Sequence, residues 1–154
     1  MPNTFKIRLK HLAFNKKLVF IGSALMIISV FMPWYKDIDK FKFGESFLGV
    51  TGPLYLAGFI LLVSAVCSFG IILLKLLDKP APKLPISENH LHVAVSGLSL
   101  LMLIMTVSVY FHSKFGINLT DKSVGFGMII AFVGSGGTMI GAILSIRRKT
   151  VDFE

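Results

Sequence analysis

The chain is short of charge and of cysteine. Charged residues fill 16% of its 154 positions, against about 25% in an ordinary soluble domain. Hydrophobic residues make up 54%, and the mean hydropathy is +0.77. That balance excludes intrinsic disorder, which needs few apolar residues and many charges, and it argues against a soluble domain. One cysteine, Cys67, excludes an intrachain disulfide framework, a cysteine-rich metal site and the paired-cysteine chemistry of quinone-linked disulfide enzymes. Cys67 lies deep inside an apolar block, so it is not a lipid-anchored cysteine behind a signal. It reads as a small buried hydrophobe. The apolar blocks also lack Asp, Glu, Lys and Arg at their centres. An ionisable group inside a bilayer is by default a functional one, so this lack counts against a proton-coupled transporter, a proton relay and an intramembrane aspartyl protease. No charged ring is present for a charge-selective filter, and no pair of broken segments for an inverted-repeat transporter.

What is present is four long apolar blocks, at 18–34, 53–77, 92–111 and 124–146. A membrane span needs roughly 20 apolar residues, because the hydrocarbon core is about 30 Å thick. The blocks are apolar around their whole circumference apart from Gly, Ser and Thr, where a soluble bundle would carry a polar stripe. They predict an all-α integral membrane protein, a four-transmembrane-helix bundle. A basic interfacial tail at 1–17 would precede the transmembrane domain at 18–146, and a C-terminal tail at 147–154 would follow. The first block ends in MPWYKD rather than in a small-x-small cleavage site, so it reads as a retained helix.

The basic residues flank the blocks. Lys6, Arg8, Lys10, Lys16 and Lys17 lie before the first, Lys75, Lys79 and Lys83 around the second loop, and Arg147, Arg148 and Lys149 after the last. Basic loops stay cytoplasmic, which would put both termini inside and loops 35–52 and 112–123 outside. The net charge of +8 is then a signal of topology and anionic lipid, and nucleic acid is not expected as a partner. The N-terminal tail fits an amphipathic interfacial helix poorly, since Ile7 and Phe14 fall opposite Leu9 and Leu12 at a 3.6 period. An extended docking strand stays open. Phe41 and Phe43 alternate with Lys40 and Lys42 as in a strand, Gly44 or Gly49 could turn the chain, and residues 46–50 are apolar enough to dip back toward the bilayer. Trp34, Tyr35 and Tyr55 stand where interfacial aromatic anchors form. Pro80, Pro82 and Pro85 predict a stiff, extended connector. Asn118-Leu-Thr120 fits a glycosylation sequon.

No chemistry-bearing constellation emerges. His11, His90, His92 and His112 read as interfacial histidines that share no metal and hold no cofactor. No Ser-His-Asp set can be drawn from the outer-loop residues, although His112 and Asp121 could approach each other. The expectation is a protein that is not an enzyme.

The last block is rich in small residues, which let membrane helices approach closely. Gly134, Gly137, Gly141 and Ser145 form one row; Ser123, Gly127, Ala131 and Ser135 form a second. These residues are candidates for helix packing within the subunit or for an interface. The functional expectation is an integral membrane subunit or accessory protein of a larger assembly, in contact with lipid and with other membrane subunits or with itself. The alternative is a homo-oligomeric channel or small transporter with a neutral path along Ser64, Ser68, Ser99, Thr106, Ser135 and Thr138.

In layout, a first span ending in FMPWY, a short outer loop, a Gly-rich last span and a terminal RRK resemble small bacterial four-helix integral membrane proteins of unknown function. The resemblance implies a bacterial inner membrane and no particular activity. The topology also looks like that of claudins and tetraspanins. However, Trp34 is the only tryptophan and no cysteine lies outside, so no residue role carries over from either.

Overall fold

The structure is a computed structural model that describes residues 2–38, 44–80, 82, 85–112 and 121–151. The expected strand at 40–43, the sequon at Asn118 and the end of the C-terminal tail lie outside them. Among the described residues the order is α1 (Pro2–His11), α2 (Phe14–Val30), β1 (Pro33–Ile38), β2 (Gly44–Leu48), α3 (Tyr55–Leu76), α4 (Glu88–Phe111), β3 (Asp121–Val124) and α5 (Phe126–Val151).

Three of these five helices, α3, α4 and α5, are long and apolar enough to cross a membrane. This overturns the four-transmembrane-helix bundle. The resemblance to small four-helix membrane proteins falls with it, as does the placement of the termini that relied on four crossings. The error lies in the first block. Helix α2 has 17 residues, about 26 Å at 1.5 Å per residue, short of the hydrocarbon core. Its first turn is spent on Asn15, Lys16 and Lys17, and it stops at Val30. Residues expected to finish the span instead turn into β1, which begins at Pro33. One apolar run therefore serves two elements. The N-terminal tail is helix α1, not an extended strand.

Helices α2 and α5 run antiparallel and meet at bare backbone. A Cβ placed on Gly22 would stand 2.7 Å from the Gly134 carbonyl oxygen and 2.6 Å from Thr138 Oγ1. One on Gly134 would stand 2.7 Å from the Gly22 carbonyl oxygen, and one on Gly141 2.6 Å from that of Asn15. A Cβ on Gly127 would stand 2.8 Å from that of Met32. Ala131 is buried in one cluster with Met26 and Val30, and Ser145 Oγ accepts a hydrogen bond from Asn15 Nδ2 at 2.7 Å. These residues of α5 therefore turn toward α2. Gly137 lies at the margin, where a Cβ would meet only the Gly22 Cα at 3.9 Å, and Gly136 faces open space. Lipid offers no hydrophobic drive for helix association, so van der Waals contact along such a seam must supply it.

The end opposite Asn15 carries an antiparallel sheet of order β2-β1-β3. Adjacent strand residues normally point to opposite faces, yet Trp34 and Tyr35 are both 1% exposed. The register of β1 against β2 shifts between Pro33 and Tyr35, and this bulge lets both side chains enter the core. Trp34 Nε1 donates to the Ser29 carbonyl at 2.9 Å. The Tyr35 ring packs on Tyr110 at 4.3 Å, and Tyr110 Oη donates to the Lys36 carbonyl at 3.0 Å. Gly49 lies flat under the Trp34 indole, and its carbonyl leaves no room for a side chain at Gly58 of α3. Of the three candidate anchors, only Tyr55 is exposed, at 58%.

The seam makes two substitutions diverge. Gly141→Leu drives a branched side chain into the Asn15 backbone and is expected to cost at least about 1–3 kcal/mol. Gly136→Leu, on the same helix, is expected to leave the thermal midpoint of the detergent-solubilised protein unchanged. Equal midpoints for the two variants would mean that α5 is rotated away from α2.

Burial pushes the Tyr35 phenol above its ordinary 10.0, against a smaller lowering from the Leu54 backbone. Above about pH 10 the folded protein keeps a proton that the unfolded chain has released, so stability falls as pH rises toward the folded-state value. Alkaline unfolding of Tyr35→Phe is expected to lack this slope, while Tyr55→Phe keeps it. Parallel curves for Tyr35→Phe and the natural protein would exclude Tyr35 as the responsible group.

Candidate functional site: the polar end of the bundle

The end opposite the sheet gathers most of the paired charge. Helix α3 stops there in a Schellman motif, with Asp78 N–H donating to the Lys75 carbonyl at 3.3 Å and Lys79 N–H to the Leu74 carbonyl at 2.9 Å. The motif requires a left-handed residue just past the C-cap. Asp78 supplies it, with φ of 61°, a conformation Asp tolerates better than most residues. The turn presents the Asp78 carboxylate to α1, where Arg8 Nη2 meets Oδ2 at 2.8 Å. Arg8 Nη1 also donates to the Leu76 carbonyl at 3.3 Å, one of the carbonyls that a helix end leaves without a partner.

Helix α4 begins with Glu88 in its first turn, where a carboxylate suits the helix dipole. Glu88 forms an ion pair with Lys75 across the connector. Four residues on, His92 is buried between α3 and α4. Its Nδ1 lies 3.0 Å from Ser68 Oγ, and its Nε2 lies 3.7 Å from Glu88 Oε1. Neither of those last two atoms has a hydrogen-bond partner. A proton on Nε2 faces the Glu88 carboxylate and leaves Nδ1 to accept from Ser68, so the surroundings favour that tautomer. Ser68, His92 and Glu88 thus stand in the order of a hydroxyl, an imidazole and a carboxylate. Ser68 and His92 are each 1% exposed, which closes the hydroxyl to an incoming substrate in this conformation. The Ser68–His92 contact ties α3 to α4.

The sequence placed His92 at an interface, whereas the structure buries it. Ser68, a candidate path residue in the sequence, is here a partner of His92. The Glu88–His92 spacing of one helical turn was readable; the Ser68 contact, 24 residues away, required the fold. His90 is exposed and pairs with Ser87. His112 sits exposed just past α4, in contact with its surroundings. Among the described residues, no group of three His, Cys, Asp or Glu side chains is placed to hold a metal.

The six hydroxyls of the expected neutral path are all buried. Ser99 donates to the Val95 carbonyl, Thr106 to that of Met102 and Thr138 to that of Gly134. Leu61, Ala65 and Leu103 belong to one buried apolar cluster.

Two clefts flank α1. One, of about 270 Å³, has Arg8, His11, Lys16, Lys75 and Asp78 above Leu12, Ile72 and Leu76. The other, of about 420 Å³, is lined by Lys6, Leu9, Lys10, Lys17, Phe20 and Ile21.

No protein-family model matches the chain, and comparison with curated proteins finds no significant match. The chain is a largely helical protein whose long apolar helices fit it for a membrane. Val63 and Val66 on α3, Leu101 and Ile104 on α4, and Val133 and Ile140 on α5 face outward, where lipid meets them.

Ser68→Ala leaves His92 Nδ1 buried without a partner and is expected to cost about 1–3 kcal/mol. Adding His92→Leu should recover part of that loss, because replacing both partners by apolar groups costs less than orphaning one. Chemical denaturation in detergent measures both, and strictly additive losses would show that the two side chains do not interact.

Proposed function

We propose that the chain is a non-enzymatic integral membrane subunit or accessory protein, acting through contact with neighbouring membrane proteins. The observation that supports this most directly is where its small residues go. The α2–α5 seam absorbs Gly134 and Gly141, while Gly70 on α3, Gly97 on α4 and Gly136 on α5 have nothing within 4 Å of an added Cβ. Bare outward positions on apolar helices admit close approach by another helix. A transport path through one subunit is the less favoured reading, because the hydroxyls that would line it are buried, and Ser99, Thr106 and Thr138 are bonded to carbonyls of their own helices. The short connections and basic flanks of the sequence fit a bacterial inner membrane.

Cross-linking in membranes, gentle extraction and mass spectrometry of the intact assembly test the reading. A partner, or a second copy, is expected at fixed stoichiometry. Gly97→Leu or Gly136→Leu should release it while the thermal midpoint of the isolated chain stays unchanged. Recovery of the bare monomer under several extraction conditions would overturn the proposal.

A further inference from the structure

The two flanks of α1 differ in how their cations are answered. Toward α3, Arg8 meets Asp78 and Lys75 meets Glu88. Toward α2, Lys6, Lys10 and Lys17 line the larger cleft, and among the described residues no acidic side chain lines it with them. Lys17 Nζ donates to the Lys10 carbonyl at 2.8 Å, which holds a third ammonium at the end of α1 beside the other two. Three like charges around one cleft repel each other, and an anion placed among them relieves that repulsion.

The rest of the cleft is apolar. Leu9, Phe20 and Ile21 complete the lining. Phe20 stacks on Phe69 of α3 with ring centroids 4.7 Å apart, and Ile21 is 57% exposed on the outer side of α2. An apolar wall therefore leads from the lysines onto the lipid-facing surface of the bundle.

We propose that the cleft between α1 and α2 binds the headgroup of an anionic phospholipid, with Lys6, Lys10 and Lys17 around the phosphate and an acyl chain along Phe20 and Ile21. A free phosphate would use the lysines alone and leave the apolar wall in water; a phospholipid uses both. Helix α1 is then the cover of a lipid site, held in place from its other flank by Arg8. This inference does not rest on the subunit proposal, since a monomer would bind lipid in the same way.

The test uses the full chain in phosphatidylcholine nanodiscs or neutral detergent, titrated with phosphatidylglycerol and read by intact-protein mass spectrometry and thermal midpoint. The natural protein is expected to retain phosphatidylglycerol in preference to phosphatidylcholine and to gain stability from it. Lys6→Gln and Lys10→Gln should each reduce the preference by about fivefold, as expected for one lysine at an anionic surface. Lys79→Gln, at the same end of the bundle but outside the cleft, should leave it unchanged. Ile21→Ser should weaken lipid retention, and inorganic phosphate at the same concentration should neither displace the lipid nor raise the midpoint. Unaltered midpoints in phosphatidylcholine alone confirm that the variants are folded; Lys6 and Lys10 are exposed, so either single variant carries the test by itself. Equal retention of the two lipids would overturn the proposal. So would an equal loss from Lys79→Gln, which would mark a diffuse surface charge, or full stabilisation by inorganic phosphate, which would make the ligand a free anion.

Discussion

The backbone contact between α2 and α5 is the constraint on which the other placements depend. Helix α2 is too short to be fixed by the thickness of a membrane, so its neighbours must fix it. The Gly22–Gly134 approach sets the distance between the two helices. The register runs from Asn15 opposite Gly141 and Ser145 to Met32 opposite Gly127. Because β1 follows α2 at once and β3 precedes α5 at once, the same register brings Tyr35 opposite Val124 in the sheet. A slide of one helix along the other would break the seam and the strand pairing together.

The parts of the fold that could be read from sequence are those where composition alone decides. The apolar runs at 53–77, 92–111 and 124–146 became α3, α4 and α5, because a long uncharged stretch has few other solutions. Helix α4 starts four residues before the run, at Glu88, since a polar first turn outside the apolar stretch still belongs to the helix. The block at 18–34 misled because hydropathy does not distinguish a buried strand from the end of a span. Trp34 and Tyr35 looked like anchors for the same reason; aromatic rings suit both an interface and a core. The polar site was the least legible part. It joins residues of α1, α3 and α4, and only the Glu88–His92 pair lies within one helical turn.

The interior of the bundle holds many small polar side chains, while large apolar ones face outward. Ser96, Ser99, Thr106, Thr138 and Ser145 all return their hydroxyl protons to carbonyls of their own helices. Such residues fill little volume and ask nothing of their neighbours, so helices can pass them closely. Most of the groups that bond between helices lie toward the polar end: Asn15 with Ser145, Ser68 with His92, and Lys75 with Glu88; farther along, Thr138 Oγ1 also reaches Met26 Sδ at 3.7 Å. Charged contacts are thus concentrated at the polar end, and the α2–α5 seam is held largely by shape.

The bulge in β1 solves a problem of phase. A helix turns by about 100° per residue and a strand by about 180°, so a chain passing from one to the other delivers its side chains at an angle fixed by the number of residues between. Only Phe31 and Met32 separate α2 from β1. With α2 locked against α5, a regular strand would aim either Trp34 or Tyr35 away from the core. The extra residue of the bulge absorbs the mismatch and points both inward. The segment from Val30 to Tyr35 therefore works as a ruler whose length matters as much as its composition. Conservative replacements within it are tolerable, whereas adding or removing one residue would rotate the whole sheet relative to the helices beneath it.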